Sequence, residues 1–360
     1  MSATSTAGTP GTPAPGATRR PSVGLDDPRL KDRSTSRTYA ALALIVALLA
    51  VLPLLLDEQT EAVAIRTLIF AILAVGWNLM SGYGGMFSFG HAAFFGIGAY
   101  TDAYLLVEHG VSPWISMLVG AAISAAAGTL IAFLCLRYRL AGAYFALATF
   151  AFAQVFLLAV QNLDFLRRTE GFNVPLLLED SWSMMQFEQG SPIYFWIPLA
   201  VLALGLFGTV AFVNSRAGQY VQAVRDDEVA AASLGIRVMR YRLVTVALSC
   251  AFTSLAGAFY TQYYFFVGPE QAFGSGVSVN AIVPAVIGGI GTVFGPLVGA
   301  LVVGPLSEWI AQILRDPPEF LAFLQGVTGL DVAIYAALLV LIVLFMPKGI
   351  YGTLRDRFRS

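Results

Sequence analysis

Residues 217–242 hold the densest grouping of side chains able to act on another molecule. Arg225, Asp226, Asp227 and Glu228 stand side by side, followed by Ala231, Leu234 and Gly235. The stretch is too polar to cross a bilayer but rich in helix formers, and Gly235 is a natural residue just past a helix end. Tyr220, Val221, Val224 and Leu234 make an apolar side for a short amphipathic helix, with the four charges opposite. Such a helix, exposed between two apolar segments, suits docking onto a soluble partner. Lying flat on the lipid surface is the alternative, and three consecutive acids facing an anionic leaflet count against it.

Other groups with chemical potential are scattered through apolar sequence. Asn78, Ser81, Tyr83, Ser88, His91, Gln154 and Asn280 sit at membrane depth. Polar groups are costly there and tend to face a bundle interior or a water-filled substrate path. The glycine-broken stretch 81–90 either lines a cavity or forms a turn held by ordinary hydrogen bonds between helices. His91 alone is more often structural than part of a path. Asp102 and Glu308 are the acids placed within spans, near outer helix ends, where a structural or interfacial role competes with proton coupling or substrate contact. Cys135 and Cys250 lie in apolar runs and make no disulfide framework. With His91 and His109 they make no metal site either.

The elements that position these residues are apolar helices. Of 360 residues, 57% are hydrophobic and 12% charged, against ~25% charged in an ordinary soluble domain. A soluble enzyme, a secreted disulfide scaffold and a nucleic-acid binder are excluded on that ground. A bilayer core needs about 20 helical residues per crossing. The runs 38–56, 64–80, 91–107, 114–136, 140–160, 193–213, 243–266, 279–290, 293–314 and 332–346 answer to that length, the eighth being short and glycine-interrupted. They are apolar all round, which favours helices over the alternating strands of a barrel. The expected fold class is all-α: a polytopic transmembrane helical bundle of about ten spans with both termini cytoplasmic.

Residues 1–37, rich in Ala, Thr, Pro, Gly and Ser, read as a disordered cytoplasmic tail. Residues 161–192 read as an external loop and 353–360 as a cytoplasmic C-terminal tail. Of the 21 Lys and Arg, all but Arg66, Arg167, Arg168 and Arg315 then fall inside, as the positive-inside rule requires. Gly120-x3-Ser124-x3-Gly128 and Gly291-x3-Gly295-x3-Gly299 line helix faces with small residues that let backbones pack closely.

Glu228-Val-Ala-Ala-Ala-Ser-Leu-Gly235 resembles the "EAA" loop of ABC-importer permeases, the element that docks into a groove of the ATPase subunit. The run from Trp77 to Tyr100, with Ser81-Gly-Tyr-Gly-Gly-Met-Phe-Ser-Phe-Gly-His91 at its centre, resembles the second-to-third helix region of branched-chain amino acid ABC permeases. Val286 to Pro296, the terminal Pro347-Lys348-Gly349-Ile350, and Thr169-x-Gly171 with Pro175 are similar to the same family. The resemblance runs in order through about residues 40–352 and is strongest to M-type subunits of high-affinity leucine/isoleucine/valine importers. Urea and short-amide permeases are close relatives.

The resemblance implies a transmembrane permease domain over 38–352 in the inner (plasma) membrane bilayer, with 217–242 as its cytoplasmic coupling loop. It also implies a homologous second permease, two ABC ATPases that hold ATP and Mg, and an external substrate-binding protein. No cofactor on this chain and no nucleic-acid partner are implied, and the chain is a transport subunit rather than an enzyme. Consistently, the sequence has no G-x-x-x-x-G-K-[ST] phosphate loop; its lysines are Lys31 and Lys348, and neither follows a glycine. The alternative in another class is an ion-coupled secondary transporter using Asp102 or Glu308. An intramembrane protease is disfavoured, since neither facing acids nor a paired Ser and base is evident.

Overall fold

The structure, a computed structural model, describes residues 28–177, 180–188, 190–315 and 349–357. Helices that are apolar on every side belong in lipid or in a core. Among the described residues, seven helical segments are long and apolar enough to cross a membrane. They comprise α1 (Pro28–Val51), α2 (Glu58–Trp77) with the π-helical turn Asn78–Tyr83, α4 (Pro113–Arg137), α5 (Ala143–Asn162), α6 (Ile193–Asn214), α9 (Val238–Tyr264), and α10 (Pro269–Phe273) continued by α11 (Ser275–Gly288). Between or after these lie α3 (His91–His109), the short polar pair α7 (Arg216–Asp226) and α8 (Glu228–Ser233), and α12 (Gly295–Arg315). A last helix, α13, spans Gly349–Arg357. The molecule is a helical membrane bundle. The expected span 332–346 and the residues Pro347 and Lys348 lie outside the described residues, as do residues 1–27.

Three expectations need correction. The first helix starts at Pro28, inside the stretch read as a tail; proline's fixed φ suits the opening position of a helix, where its missing N–H costs nothing. The eighth segment starts at Pro269, not 279, because Gly274 interrupts it in an extended conformation and the helix resumes at Ser275. The fold is also not purely α: Phe172–Asn173 (β1) pairs antiparallel with Phe266–Val267 (β2), pinning the loop after α5 to the end of α9.

Burial separates centre from rim. Within their apolar windows, 78% of the α2 segment is buried inside the bundle but only 11% of α1. The α3 helix falls short of a lipid-facing composition because it is wrapped by other helices and built from Ala, Gly and aromatic residues for close approach. A side chain at Gly98 would collide with the Ser254 carbonyl, one at Gly257 with the Phe95 carbonyl, and one at Gly128 with Cys250. Ser124 donates to the Cys250 carbonyl at 2.9 Å. The Gly120, Ser124 and Gly128 face of α4 thus packs closely on α3 and α9, with Gly120 on the Gly98 backbone and Gly128 on the Cys250 side chain, the contact that small residues permit where lipid supplies no hydrophobic drive. Both cysteine thiols are free and buried there.

On the other side, α11 and α12 approach through Gly288, Gly295 and Gly299, where any side chain would strike the facing main chain. Gly291 is not part of that helical stripe. It lies in the turn before α12 with φ +71°, so the reading of 291, 295 and 299 as one face holds only for the last two. The α13 helix closes over this turn, with Tyr351 against Phe294 at 5.5 Å between ring centroids.

Candidate functional site

The α7–α8 segment is built by side-chain caps. Ser215, in extended conformation after α6, accepts from the Gly218 N–H at 3.1 Å and starts α7. The chain then breaks. Asp227 is extended, and its carboxylate accepts from the Val229 and Ala230 N–H groups, each at 2.9 Å, to start α8. A single amphipathic helix was the expectation; a carboxylate that can satisfy two otherwise orphaned donors makes two helices instead. Gly235, at φ +83°, ends α8, with the Ile236 N–H bonded back to the Ala231 carbonyl at 3.1 Å.

The break changes which side chains point inward. Val221, Val224 and Ala231 are buried, and Tyr220 packs on Tyr241 at 5.1 Å. Leu234 does not join them: it is 82% exposed, and Val229 is 76% exposed. The turn at Asp227 carries α8 away from the α7 face, so the outer surface of the segment offers two large apolar side chains to whatever lies beyond.

Its inner surface is tethered. Arg225 binds Asp226 through Nε and Nη2, at 2.9 and 2.8 Å, and donates from Nη1 to the Gly82 carbonyl at 3.2 Å. Gly85, at φ +68°, lies against the Arg225 stem, where a Cβ would stand 2.6 Å from Cγ. Glu228 pairs with Arg242 of α9 at 2.8 Å. Gly82 belongs to the π turn at the end of α2, and Asn78 in the same turn carries the connection onward. Its amide donates to the Thr292 carbonyl at 2.9 Å and accepts from the Gly291 N–H at 2.7 Å. Residues far apart in sequence thus form one relay from α7 to the end of α2 to the turn before α12. Nothing in it can make or break covalent bonds.

Among the other polar residues singled out in sequence, Ser81 and Ser88 hold the backbone. Ser81 donates to the Met86 carbonyl at 3.0 Å and accepts from the Ser88 N–H at 3.3 Å. Ser88 accepts from the Gly90 N–H at 3.1 Å. Fully buried His91 meets Ser249 at 3.1 Å through Nε2, and Ser249 donates to the Gly76 carbonyl at 2.6 Å. Tyr83 is buried in the π turn, and Asn280 and Gln154 are half-buried on α11 and α5. Stretch 81–90 is irregular backbone held by the Ser81 and Ser88 side chains, with Gly85, Phe87 and Phe89 left exposed.

Asp102 is not interfacial. It is fully buried and accepts from Ser116 of α4 and Gln262 of α9. Glu308 pairs with Arg66 at 2.9 Å near the end of the bundle away from α7–α8. Ser116, Ser249 and Gln262 are not singled out by the sequence, which gives Arg66 only as an external cation. A signal existed for part of this set: Ser249, Thr253, Gly257 and Thr261 recur every fourth residue along α9, marking a polar, small-residue face that the structure buries. Among the described residues, no three His, Cys, Asp or Glu side chains gather to hold a metal.

The family model for the branched-chain amino acid transport system permease component matches residues 59–344. Among curated relatives, the Escherichia coli (strain K12) high-affinity branched-chain amino acid transport system permease protein LivM is 27% identical over 350 residues, covering 91% of this chain and 78% of the relative. The corresponding LivH protein of Salmonella typhimurium is 30% identical over 303 residues, covering 79% of this chain and 91% of the relative. The autoinducer 2 import system permease protein LsrC of Yersinia enterocolitica is 30% identical over 152 residues, covering 40% of each.

Proposed function

The chain belongs to the branched-chain amino acid transport system permease family, and from that premise we propose that it is a permease subunit of an ATP-driven importer for branched-chain or other small amino acids. It crosses the inner membrane about ten times with both ends in the cytoplasm, supplies part of the translocation path, and draws its energy from separate ATPase chains. A homologous second permease and an external binding protein complete the assembly. The two relatives named LivM and LivH, both permeases of one kind of system, support the paired arrangement.

The observation that carries this reading is the two-sided character of α7–α8. Outwardly it exposes Val229 and Leu234; inwardly Arg225 grips the Gly82 carbonyl. Apolar side chains left exposed on and just after a short capped helix suit an interface anchor. A hydrogen bond from a charged donor contributes about 1.5–3 kcal/mol, enough to make the end of α2 follow α7. Closure of an ATPase pair against α8 would then move α7, the π turn and, through Asn78, the turn before α12. That motion exchanges access between the two sides of the membrane, a two-state element biased by a partner.

The test is uptake and substrate-stimulated ATP hydrolysis in the reconstituted assembly. Glu228→Lys and Gly235→Val lower both while membrane insertion stays intact. Normal coupling in both variants would remove the segment from the mechanism.

A further inference from the structure

At the end of the bundle opposite α7–α8, the Arg66–Glu308 pair stands between two adjoining cavities. One, of about 590 Å³, is walled by Val63, Val302, Leu306 and Trp309. The other, of about 350 Å³, is lined by Arg66, Tyr264 and Gln312. Glu308, Gln59, Val63 and Gln312 border both, so the two form one groove between α2 and α12. Its size falls in the range of about 300–1,000 Å³ typical of small-molecule sites.

The chemistry of the lining is specific. A guanidinium and a carboxylate face each other at 2.9 Å, and their side chains are 35% and 14% exposed. Arg66 also approaches the Ser307 hydroxyl at 3.5 Å and lies over the Phe70 ring at 5.8 Å. A charge at this depth needs a partner, and a lone anion or cation entering the groove attracts one member of the pair and is repelled by the other. A zwitterion engages both. Its carboxylate matches the planar donor fork of arginine, its ammonium matches Glu308, and one pair becomes two with no net charge carried in. The aliphatic wall of Val63, Val302 and Leu306 lies beside that point.

We propose that this groove receives the zwitterionic head of an aliphatic amino acid, Arg66 taking the carboxylate and Glu308 the ammonium, with the side chain against the Val63 and Leu306 wall. The proposal rests on the amino-acid importer reading and names its substrate contact. Arg66 and Asn78 share α2 and its π turn, 12 residues apart and so about 18 Å along the axis. Occupancy at one end and the relay at the other therefore bear on one helix.

The experiment uses the complete assembly in proteoliposomes, radiolabelled leucine, and external binding protein. Arg66→Met and Glu308→Gln each lower leucine uptake by about tenfold or more at equal membrane abundance, the scale of losing a charge-assisted contact. The double exchange, Arg66→Glu with Glu308→Arg, keeps an ion pair at the site but presents each charge from the other helix. Uptake stays low in it while ATP hydrolysis stimulated by the loaded binding protein persists. Uptake restored by the exchange would show a purely structural pair and overturn the proposal, as would unchanged uptake in both single variants. The single variants decide the matter if the exchanged chain does not insert. A wild-type assembly that hydrolyses ATP yet imports no leucine would instead fail the importer reading, and the proposal with it.

Discussion

Arg225 reaches from the last turn of α7 to the carbonyl oxygen of Gly82, 143 residues earlier in the chain, at 3.2 Å. The same guanidinium holds Asp226 at 2.8 Å, so one planar group is fixed at both ends. Lysine offers a point charge on a flexible stem and cannot hold both partners in that geometry. Arg225→Lys is expected to lower ATP-driven uptake by roughly tenfold at equal membrane abundance, the equivalent of about 1.4 kcal/mol in coupling. Equal uptake in Arg225→Lys and wild type would argue against this link in the relay.

Asn78 uses both ends of its amide, one toward Gly291 and one toward Thr292. Removing it strands a backbone donor and a backbone acceptor, each costing about 1–3 kcal/mol when buried. Asn78→Ala should therefore lower the unfolding temperature of the detergent-solubilised protein clearly. Asn78→Asp keeps the acceptor for Gly291 but sets a buried carboxylate oxygen against the Thr292 carbonyl, so its shift should be at least as large. The order of the two shifts is the check.

Leu234 and Val229 contribute almost nothing to the core of this chain, because they stand outside it. Replacing either with Asp should change stability by no more than about 0.5 kcal/mol. Recovery of ATPase subunits when the permease is affinity-purified should nevertheless fall severalfold. Undiminished recovery would mean that α8 is not the contact surface.

Gly235 adopts φ +83° with open space around it. The obstacle to substitution there is conformational, since a left-handed residue with a Cβ costs roughly 1–2 kcal/mol and a β-branched one more. Gly235→Asn, which tolerates that conformation, should retain coupling, whereas Gly235→Val should lose most of it. Paired measurements of uptake in the two variants separate backbone geometry from mere side-chain size.

Asp102 gives a discriminating test against transport driven by an ion gradient. It accepts from both Ser116 and Gln262, so Asp102→Ala strands two buried donors and should destabilise the protein by about 2–5 kcal/mol. Asp102→Asn retains an acceptor of the same shape and cannot exchange a proton. ATP-driven uptake should survive in the Asn variant at a substantial fraction of wild type. Abolished uptake in a well-folded Asn variant would point to proton coupling.

The features legible in the sequence are those fixed by local composition. The apolar runs read as helices because each is long enough to span and apolar on all sides, and Gly120, Ser124 and Gly128 read as a packing face because helical spacing alone puts them in line. What could not be read depends on partners remote in sequence. Asp102 lies 160 residues from Gln262, and nothing near it says that it is enclosed rather than at an interface. Gly291 continues a four-residue glycine period, but the Asn78 amide holds its N–H in a turn. The break at Asp227 hides in a continuous run of helix formers, because the decisive event is a carboxylate capping the next helix. Leu234 stands outside the apolar face for the same reason.

Cys135 and Cys250 are the two cysteines of the chain and both are sealed in the interior. A maleimide reagent added to the folded protein should leave both untouched, so the native chain is already a blank for spectroscopic labelling. Single thiols engineered along α8 or beside the α2–α12 groove can carry fluorophores or spin probes without first stripping the background, and inter-probe distances through a turnover cycle become directly measurable.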